Sequence, residues 1–477
     1  MSYIFQTTSI NVSSGSYALF MQDGDTLQVG AGVYLVDTVQ TGVYSTGPAN
    51  LINQGLISGV NGFFVVNSVT TGSSYIYNAT SGIISAMGGE AIDLSVGPFD
   101  IVNYGQIEDL PGGADSLAIG SAGSGVIYNY GSITGKNALY DADSTLNDNY
   151  TLYNYGTITG TTAAFQSGGG VDNERIVNDG VINGNVDLGN GAGSSFDSTN
   201  GQIDGLIASG TGGGFVIGGV TGGTIDGSIG NDIFYSNPTQ TAANNAAHTT
   251  MDAYTGDNYE YGGSAYTTFD SGDNVAGDFN LIVGELSKMS GVSGYANNTV
   301  SYGGLAASYK SVFVNLAGGY AYMSTNAHAV SASPSQLTFE DYIQNTPNVI
   351  GSAGSDVVEC DNGVDVITAG SANKGGDVFY AGSGAASQDT FVFTSLQQSP
   401  LTNAAAVEGF KIGVDKIDLS HLNMPSTADF GIVYGGNGDC SILVETNPAA
   451  GFNAATDMII SVAASTNATL TLKDLIL

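Results

Sequence analysis

The chain has 477 residues, of which 43 are acidic and only 8 basic, giving a formal net charge of −35. Such a chain repels nucleic acid, anionic lipid and acidic polysaccharide, so we predict none of these as a partner. Apolar residues make up 42%, which is enough for a packed core, and the excess of carboxylates is expected to attract cations.

Targeting and redox signals are few. Residues 1–10, MSYIFQTTSI, contain no basic residue and no long apolar stretch, so no N-terminal signal peptide is predicted. No run of about 18 apolar residues occurs, so no membrane insertion is predicted. Cys360 and Cys440 form no disulfide framework; two buried free thiols are favoured over a single bridge.

A nine-residue pattern recurs about every 25 residues in the N-terminal half. Its clearest copies are IYNYGSITG at 127–135 and LYNYGTITG at 152–160, and weaker copies follow at 198–205 and 220–227. Apolar and polar positions alternate around an Asn-x-Gly bend, which indicates strand–turn–strand. One such unit per repeat is typical of a rung of a right-handed parallel β-helix. The repeated asparagines are Asn53, Asn78, Asn103, Asn129, Asn154 and Asn178.

The Asn, Gly and Ile that recur in the repeat have separate expected roles. Each Asn amide is expected to bond the equivalent amide one rung above and below, Gly to form the corner, and Ile to fill the interior. The pattern resembles the Asn-x-Gly-x-Ile rungs of secreted bacterial β-helix proteins, such as autotransporter passenger domains and filamentous adhesins. The resemblance covers residues 45–227.

Tyrosines recur at two positions beside the asparagines. One interpretation is an aromatic ladder that stiffens the outer face; the other is a strip that binds a neutral glycan or a partner protein. Lys136 and Arg175 are the only basic residues before Ser287, which argues against an anionic sugar. The tyrosines are Tyr77, Tyr128 and Tyr153 at one position, and Tyr104, Tyr130 and Tyr155 at the other.

The C-terminal half carries Gly-rich turns that each end in an aspartate before an apolar triplet. Examples are GSAGSDVVE at 351–359 and CDNGVDVIT at 360–368, with an isolated copy at 227–235. Glycine lets backbone carbonyls turn towards an ion, and aspartate adds charge and the hard oxygen ligand that calcium prefers. The candidate metal ligands are Asp356, Asp365, Asp377, Asp389 and, with less support, Asp232.

These turns resemble the RTX calcium-binding β-roll, whose nonapeptide is G-G-x-G-x-D-x-U-x. Residues 407–422 resemble the segment after the roll in serralysin-type C-terminal domains, and 469–477 resemble the end that type I secretion systems read. The resemblance implies Ca²⁺ between paired turns, with Asp356 paired to Asp377 and Asp365 to Asp389. Ser352 stands in place of a Gly, and Cys360 with Asp361 in place of a Gly pair, so the number of sites stays open. The alternative is that these aspartates only shape the turns.

The predicted fold class is therefore all-β, a right-handed parallel β-helix followed by an RTX-type β-roll or β-sandwich region. We divide the chain into a β-helix at 1–227, a loop-rich β insertion at 228–297, a calcium-binding roll at 298–395 and a C-terminal β region with a type I secretion signal at 396–477. The resemblance implies an extracellular or cell-surface protein that is exported unfolded and folds outside when it binds calcium.

Catalytic motifs are absent from the sequence. The three histidines, His248, His328 and His421, are far apart and form no H-E-x-x-H zinc-protease motif. Lyases and epimerases that act on acidic sugars need several basic residues or histidines, whereas residues 1–227 contain only Lys136 and Arg175 and no histidine. Hydrolysis of a neutral glycan by paired carboxylates needs no histidine and stays open. We predict that the chain is not an enzyme.

The favoured function is a secreted, calcium-dependent, self-assembling structural protein of the bacterial cell exterior: an S-layer, a matrix component or a filament subunit. Expected partners are further copies of the chain and the type I secretion machinery. The alternative is an adhesin whose tyrosine face binds a cell-surface neutral glycan or a host protein, and a glycan-active enzyme is a third candidate.

Overall fold

The computed structural model is all-β and divides into two compact units, Met1–Thr239 and Gln240–Leu477, each with its own core. The predicted all-β class and parallel solenoid architecture are confirmed. The structure describes residues 2–15, 17–66, 72–95, 97–110, 117–142, 149–168, 173–191, 193–209, 214–217, 224–226, 233–235, 249–252, 258–261, 267–270, 280–283, 298–303, 309–326, 329, 337–370, 375–422, 424, 429–435, 439–447, 449, 451–453, 456–466 and 469–477.

The N-terminal unit is a solenoid of parallel strands in three ladders, so that a full rung contributes one strand to each. The first ladder contains Tyr3–Gln6, Thr26–Val29, Asn50–Asn53, Ser74–Asn78, Phe99–Asn103, Gly125–Asn129, Asn149–Asn154, Asn173–Asn178, Ser194–Asp197, Gly214–Ile217 and Ile233–Tyr235. The second contains Ile10–Val12, Tyr34–Asp37, Leu56–Gly59, Ile83–Ala86, Gln106–Asp109 and Gln202–Asp204. The third contains Tyr17–Met21, Thr41–Ser45, Asn61–Val65, Glu90–Leu94, Leu117–Ser121, Ile207–Ala208 and Thr224–Asp226. Three long strands serve both the second and the third ladder: Ser132–Asp141, Thr157–Ser167 and Val181–Asp187.

The core of this unit consists of aliphatic columns that follow from the repeat. Ile101, Ile127 and Leu152 lie in register on successive rungs and are fully buried. Ile133 and Ile158 form an equivalent column on the second ladder. Because side chains alternate between the two faces of a strand, each apolar position of the repeat faces inwards and its neighbours face outwards.

The C-terminal unit is a parallel roll with two ladders, and the chain alternates between them. The first ladder contains Thr249–Asp252, Thr267–Asp270, Thr299–Ser301, Asn348–Ile350, Val366–Thr368, Thr390–Val392, Lys416–Asp418 and Leu475–Ile476. The parallel strands of the second ladder are Asn258–Tyr261, Asn280–Val283, Leu337–Gln344, Ser311–Asn315, Val357–Glu359, Val378–Tyr380, Ala405–Phe410 and Met458–Ala464.

Antiparallel strands interrupt the second ladder at one place and extend its end at another. Tyr320–Ser324 pairs antiparallel with both Ser311–Asn315 and Leu337–Gln344, so a hairpin is inserted between turns of the roll. Asp439–Glu445 adds to Met458–Ala464, and Asp429–Tyr434 adds to Asp439–Glu445, each antiparallel. The described helices are single 3₁₀ turns at Leu396–Gln398, Leu401–Asn403 and Leu472–Asp474.

The structure bears on the predicted domain boundaries and on the state of the two cysteines. The described strands between 249 and 283 belong to the same ladders as the rest of the roll, within the unit that begins at Gln240. The finer division at 1–227, 228–297, 298–395 and 396–477 stays a prediction. Cys360 and Cys440 are free and buried, as expected. Among the described residues, no helix has the length and hydropathy needed to cross a membrane.

Candidate metal centre

The turns that join the two ladders of the roll stack on its two edges. Because the chain alternates between ladders, every second turn lies on the same edge. We call the edge formed by 351–356 and 375–377 the first edge, and the edge formed by 360–365, 381–389 and 411–415 the second edge.

Each of these turns ends in an aspartate that is completely buried, just before the next strand begins. In four of these turns, all except the one that ends at Asp377, the described contacts show the carboxylate closing its own turn by accepting a backbone N–H from that turn. Asp365 Oδ2 accepts from Asp361 at 2.8 Å, and Asp389 Oδ2 accepts from Gly382 at 2.7 Å. The five aspartates are Asp356, Asp365, Asp377, Asp389 and Asp415.

The same carboxylates also connect neighbouring turns of one edge. On the first edge, the Asp356 N–H donates to Asp377 Oδ1 at 2.9 Å. On the second edge, the Asp389 N–H donates to Asp415 Oδ1 at 3.1 Å, and carboxylate oxygens of Asp365 and Asp389 lie within 4.8 Å of each other. The structure therefore brings together both of the aspartate pairs that the resemblance implied.

Asp356 is the member of the set whose carboxylate is best satisfied by the protein itself. Its Oδ2 accepts from the Ser352 N–H at 2.6 Å, and its Oδ1 accepts from the Val312 N–H at 2.8 Å and from the Ser352 hydroxyl. Burial raises its pKa to about 7, and these hydrogen bonds oppose the shift. Asp356 is thus the residue for which a purely turn-shaping role has the strongest geometric support.

The second edge contains a compact group of potential metal ligands. Cys360 Sγ and one carboxylate oxygen each from Asp365 and Asp389 lie within 4.8 Å of one another, and all three residues are buried. Asp365 Oδ1 and Asp389 Oδ1 are buried and accept no hydrogen bond. Two buried carboxylates, each with an oxygen that no donor satisfies, are costly unless a cation compensates them.

The pKa values of these side chains reflect the excess of buried negative charge. Burial, together with the charges of Asp361 and Asp389, raises the pKa of Asp365 to about 8. Burial, together with the charges of Asp389 and Asp365, raises the pKa of the Cys360 thiol well above its usual range. Like charges held at short distance in this way favour an added cation.

A cavity of about 80 Å³ adjoins this group, and Asp365 belongs to both. Its polar lining includes Asp361, Asn345 and Thr346, so it has oxygen donors as well as volume. Asn345 adopts a positive φ of 54°, a conformation that asparagine tolerates better than most residues. The residues of the second edge therefore fit a divalent cation, with room for water beside it.

Asp415 is a member of the stack that sequence reasoning missed. Its Oδ2 accepts from the Lys411 N–H at 2.7 Å, and burial raises its pKa. The signal was present in the sequence, since Gly413, Asp415 and Ile417 repeat the G-x-D-x-U spacing of the earlier turns. The predicted ligand Asp232 lies outside the described residues.

Residues 342–475 match the family model described as Peptidase M10 serralysin C terminal. No curated protein matches the chain. The matched segment begins within Leu337–Gln344 and includes all five stacked aspartates. Residues 342–475 are thus similar to the C-terminal domain of a secreted RTX-type family, as the resemblance predicted. The match concerns the C-terminal domain of that peptidase family and does not extend to a catalytic domain.

Outside the serralysin-type segment, the six repeated asparagines form one continuous ladder within the N-terminal unit. Each side chain is fully buried and donates its amide N–H to the Oδ1 of the next, at 2.7–2.9 Å. The ladder ends at Asn178, whose amide donates to Ser198 Oγ at 2.9 Å. The members are Asn53, Asn78, Asn103, Asn129, Asn154 and Asn178.

The predicted tyrosines form two stacked columns on the exterior of that unit. Tyr104, Tyr130 and Tyr155 stack with ring centroids 4.7 and 4.9 Å apart, and each is 40–44% exposed. In the other column, Tyr128 stacks on Tyr153 at 5.0 Å, and Arg175 lies over Tyr153 at 5.3 Å from the ring centroid. Val102 separates Tyr77 from Tyr128 in the ladder, and Tyr77 packs against Tyr104 instead.

Proposed function

We propose that this secreted RTX-type chain is a calcium-dependent, self-assembling structural protein of the bacterial cell exterior, either a surface layer, an extracellular matrix component or a filament subunit. The observation that carries the proposal is the stack of five fully buried aspartates on the edges of the roll. We further propose that it has no catalytic role and leaves the cell through a type I secretion system.

Calcium binding is supported by the chemistry of the turns. Each turn supplies a hard carboxylate oxygen and a set of backbone carbonyls, the ligands that calcium takes six to eight of. The carboxylates are held in pairs by backbone hydrogen bonds such as that from Asp356 to Asp377, so adjacent turns are already spaced for a shared ion. An ion that binds only the folded turns stabilises them by mass action.

Self-assembly is supported by charge and regularity. A net charge of −35 makes copies of the chain repel one another unless cations screen or bridge them. The parallel ladders of both units present repeated surfaces, and repeated surfaces suit association into ordered arrays. Calcium therefore acts twice in this proposal, within the roll and between copies.

Electron microscopy of the purified chain during calcium titration tests the proposal. Ordered sheets or filaments are expected to appear as calcium is added and to dissolve when it is chelated. A dispersed chain at every calcium concentration, or arrays indifferent to chelator, would contradict it.

A double variant tests whether the calcium dependence of assembly arises from the roll. Asp377→Asn with Asp415→Asn removes one carboxylate from each edge and leaves the Cys360 group intact. We expect assembly to require a higher calcium concentration in this variant. Asp439→Asn, at an exposed position of the same unit, is the matched control and should assemble like the original chain.

A second candidate function is adhesion through the tyrosine columns. Three exposed, parallel rings in one column form an apolar and hydrogen-bonding strip of the kind that sugars and protein partners use. Binding to a neutral glycan array is compared between the original chain and the variants Tyr130→Ala and Tyr128→Ala. Tyr34→Ala, which removes an exposed tyrosine from another ladder, is the control. Equal glycan binding by the original chain and all three variants would rule out adhesion through the tyrosine columns.

A further inference from the structure

One position of the roll contains a donor atom that calcium does not select. Cys360 occupies the first position of a turn where the RTX nonapeptide has glycine, and its sulfur lies within 4.8 Å of ligand oxygens from Asp365 and Asp389. Calcium takes six to eight oxygen ligands, whereas a thiolate is a soft ligand that selects zinc and related metals. The chemistry of this group therefore differs from that of the other stacked turns.

The geometry is compatible with a four-coordinate metal. Zinc bonds of about 2.0–2.3 Å in a tetrahedral arrangement place ligand atoms roughly 3.3–3.8 Å apart. The three donors lie within the slightly larger limit of 4.8 Å, so small side-chain adjustments suffice. Three protein ligands leave the fourth position for water.

A second observation points to a ligand independently of the cysteine. Asp365 and Asp389 are both fully buried, and each has one oxygen, Oδ1, that accepts no hydrogen bond. Their other oxygens accept N–H groups of Asp361 and Gly382, which fixes the orientation of both carboxylates. Two oriented carboxylates, each with one uncompensated oxygen, thus belong to the same compact group as a buried thiol.

We propose that Cys360, Asp365 and Asp389 form a binding site for a thiophilic divalent cation, with zinc as the resident metal, at one position of the second edge. The inference rests on the proposed function in that the stacked turns hold cations, and it departs from that function in the metal. Zinc at this position clamps the turn at 360–365 to the turn at 381–389, while calcium occupies the sites formed by oxygen donors alone.

Cobalt(II) is the probe that reports a thiolate ligand directly, because a cobalt–thiolate bond gives a charge-transfer absorption in the near ultraviolet. The full chain, reduced and kept in excess calcium, is titrated with Co²⁺ and then with Zn²⁺. We expect a charge-transfer band that saturates at one Co²⁺ per chain and disappears when Zn²⁺ displaces the cobalt. No band in the original chain, or loss of cobalt on adding more calcium, overturns the proposal.

The chain has only two cysteines, which makes the assignment simple. Cys440→Ser leaves the cluster untouched, so a band in this variant comes from Cys360, and loss of the band there overturns the proposal. Cys360→Ser should abolish the band, and persistence of the band in it contradicts the assignment. Asp389→Asn should weaken cobalt binding by more than ~10-fold, since even outer-shell changes cost about 10–100-fold.

Calcium-dependent assembly is measured on the same samples. If cobalt binds through Cys360 but calcium produces no arrays, the proposed function fails and the zinc site stands. If arrays form with calcium but no thiolate band develops, the zinc site fails and the proposed function stands.

Discussion

The buried asparagines of the N-terminal unit show how a polar side chain can repeat through a core without leaving an unpaired group. Each amide donates to the next rung and accepts from the previous one, so that a set of fully buried amides is mutually satisfied. The amide N–H also donates to a backbone carbonyl on the next rung, as Asn103 does to Ser132 at 3.1 Å. An internal hydrogen bond adds about 1 kcal/mol, but an orphaned buried partner costs about 1–3 kcal/mol.

Removing one member of the ladder should therefore cost more than one hydrogen bond. Asn129→Ala deprives Asn103 of its acceptor and Asn154 of its donor. We expect the free energy of unfolding of the N-terminal unit to fall by about 2–4 kcal/mol, measured by denaturant titration. Asn149→Ala, at an exposed position in the strand that contains Asn154, is the control and should change it by about 0.5 kcal/mol or less. Equal effects of the two substitutions would show that the ladder bonds contribute nothing.

Asp341 is a buried acid of the C-terminal unit that lies outside the stacked turns. It is fully buried and accepts a hydrogen bond from the Tyr302 hydroxyl at 2.9 Å. Burial raises its pKa to about 7, while the contacts with Tyr302 and Asn280 oppose the shift. The folded state therefore holds a proton on Asp341 between about pH 4 and 7, where the unfolded chain does not.

Because the pKa of Asp341 is higher in the folded chain than in the unfolded chain, protonation of Asp341 stabilises the folded state. The stability that Asp341 contributes is present below about pH 4 and is lost as the pH rises through about 7. In constant excess calcium, Asp341→Asn should remove a slope of about 1.4 kcal/mol per pH unit from the unfolding free energy across that window. Asp429→Asn, at an exposed position, should leave the slope unchanged. A slope that survives in Asp341→Asn would contradict the assignment.

At the scale of the element, the corner glycines of the N-terminal repeat set how closely successive rungs approach. A Cβ on Gly131 would overlap the carbonyl oxygen of Gly105 on the previous rung. That oxygen already accepts the Ser132 N–H at 2.9 Å, so it cannot move away without breaking a ladder hydrogen bond. Gly156 and Gly180 repeat the same close approach on the next two rungs. The spacing between rungs therefore leaves no room for a Cβ atom at this corner, and glycine is required there.

A methyl group at this corner should separate two rungs. Gly131→Ala is expected to lower the unfolding free energy of the N-terminal unit by about 3 kcal/mol, because the overlap forces backbone movement. Gly30→Ala is the matched control, since its Cβ would lie 3.4 Å from the nearest atom, the Gln6 carbonyl oxygen, and meet only ordinary contacts. Thermal unfolding monitored by circular dichroism distinguishes the two. A stable Gly131→Ala variant would show that the rungs can part without cost.

Elements with a fixed period were predictable from the sequence, and elements without one were not. The asparagine register, 25 residues per rung, identified the first two ladders, and the Asp-before-triplet spacing identified the stacked turns. The third ladder could not be predicted because the connection before its strands varies in length, from one residue before Asn61–Val65 to three before Glu90–Leu94. The inserted hairpin at Ser311–Ser324 escaped as well, since its pairing depends on contacts between distant segments. The proximity of the Cys360 sulfur to carboxylate oxygens of Asp365 and Asp389 could be found only from coordinates.

At the scale of the whole molecule, the two units repeat different buried polar groups, although single acids such as Asp37 and Glu174 are also buried in the N-terminal unit. The N-terminal unit buries neutral amides that satisfy one another, together with aliphatic columns such as Ile101 and Ile127. The C-terminal unit buries carboxylates on both edges of its roll, including Asp365 and Asp389 with unpaired oxygens. Uncompensated buried charge lowers stability, and a cation that binds only the folded turns restores it. Calcium should therefore stabilise one unit and leave the other nearly unchanged.

Differential scanning calorimetry of the full chain can distinguish the unfolding of the two units, because only one of the two transitions is expected to depend on calcium. We expect one unfolding transition whose midpoint rises with each tenfold increase in calcium and falls, or disappears, when calcium is chelated. A second transition should stay at constant temperature, and Asn129→Ala should lower only this one. Magnesium is the control ion, since its demand for strict octahedral geometry makes it a poor substitute in turns of this kind. If both transitions move together with calcium, or if magnesium acts equally, the ion stabilises the chain by general charge screening and the turns bind no specific cation.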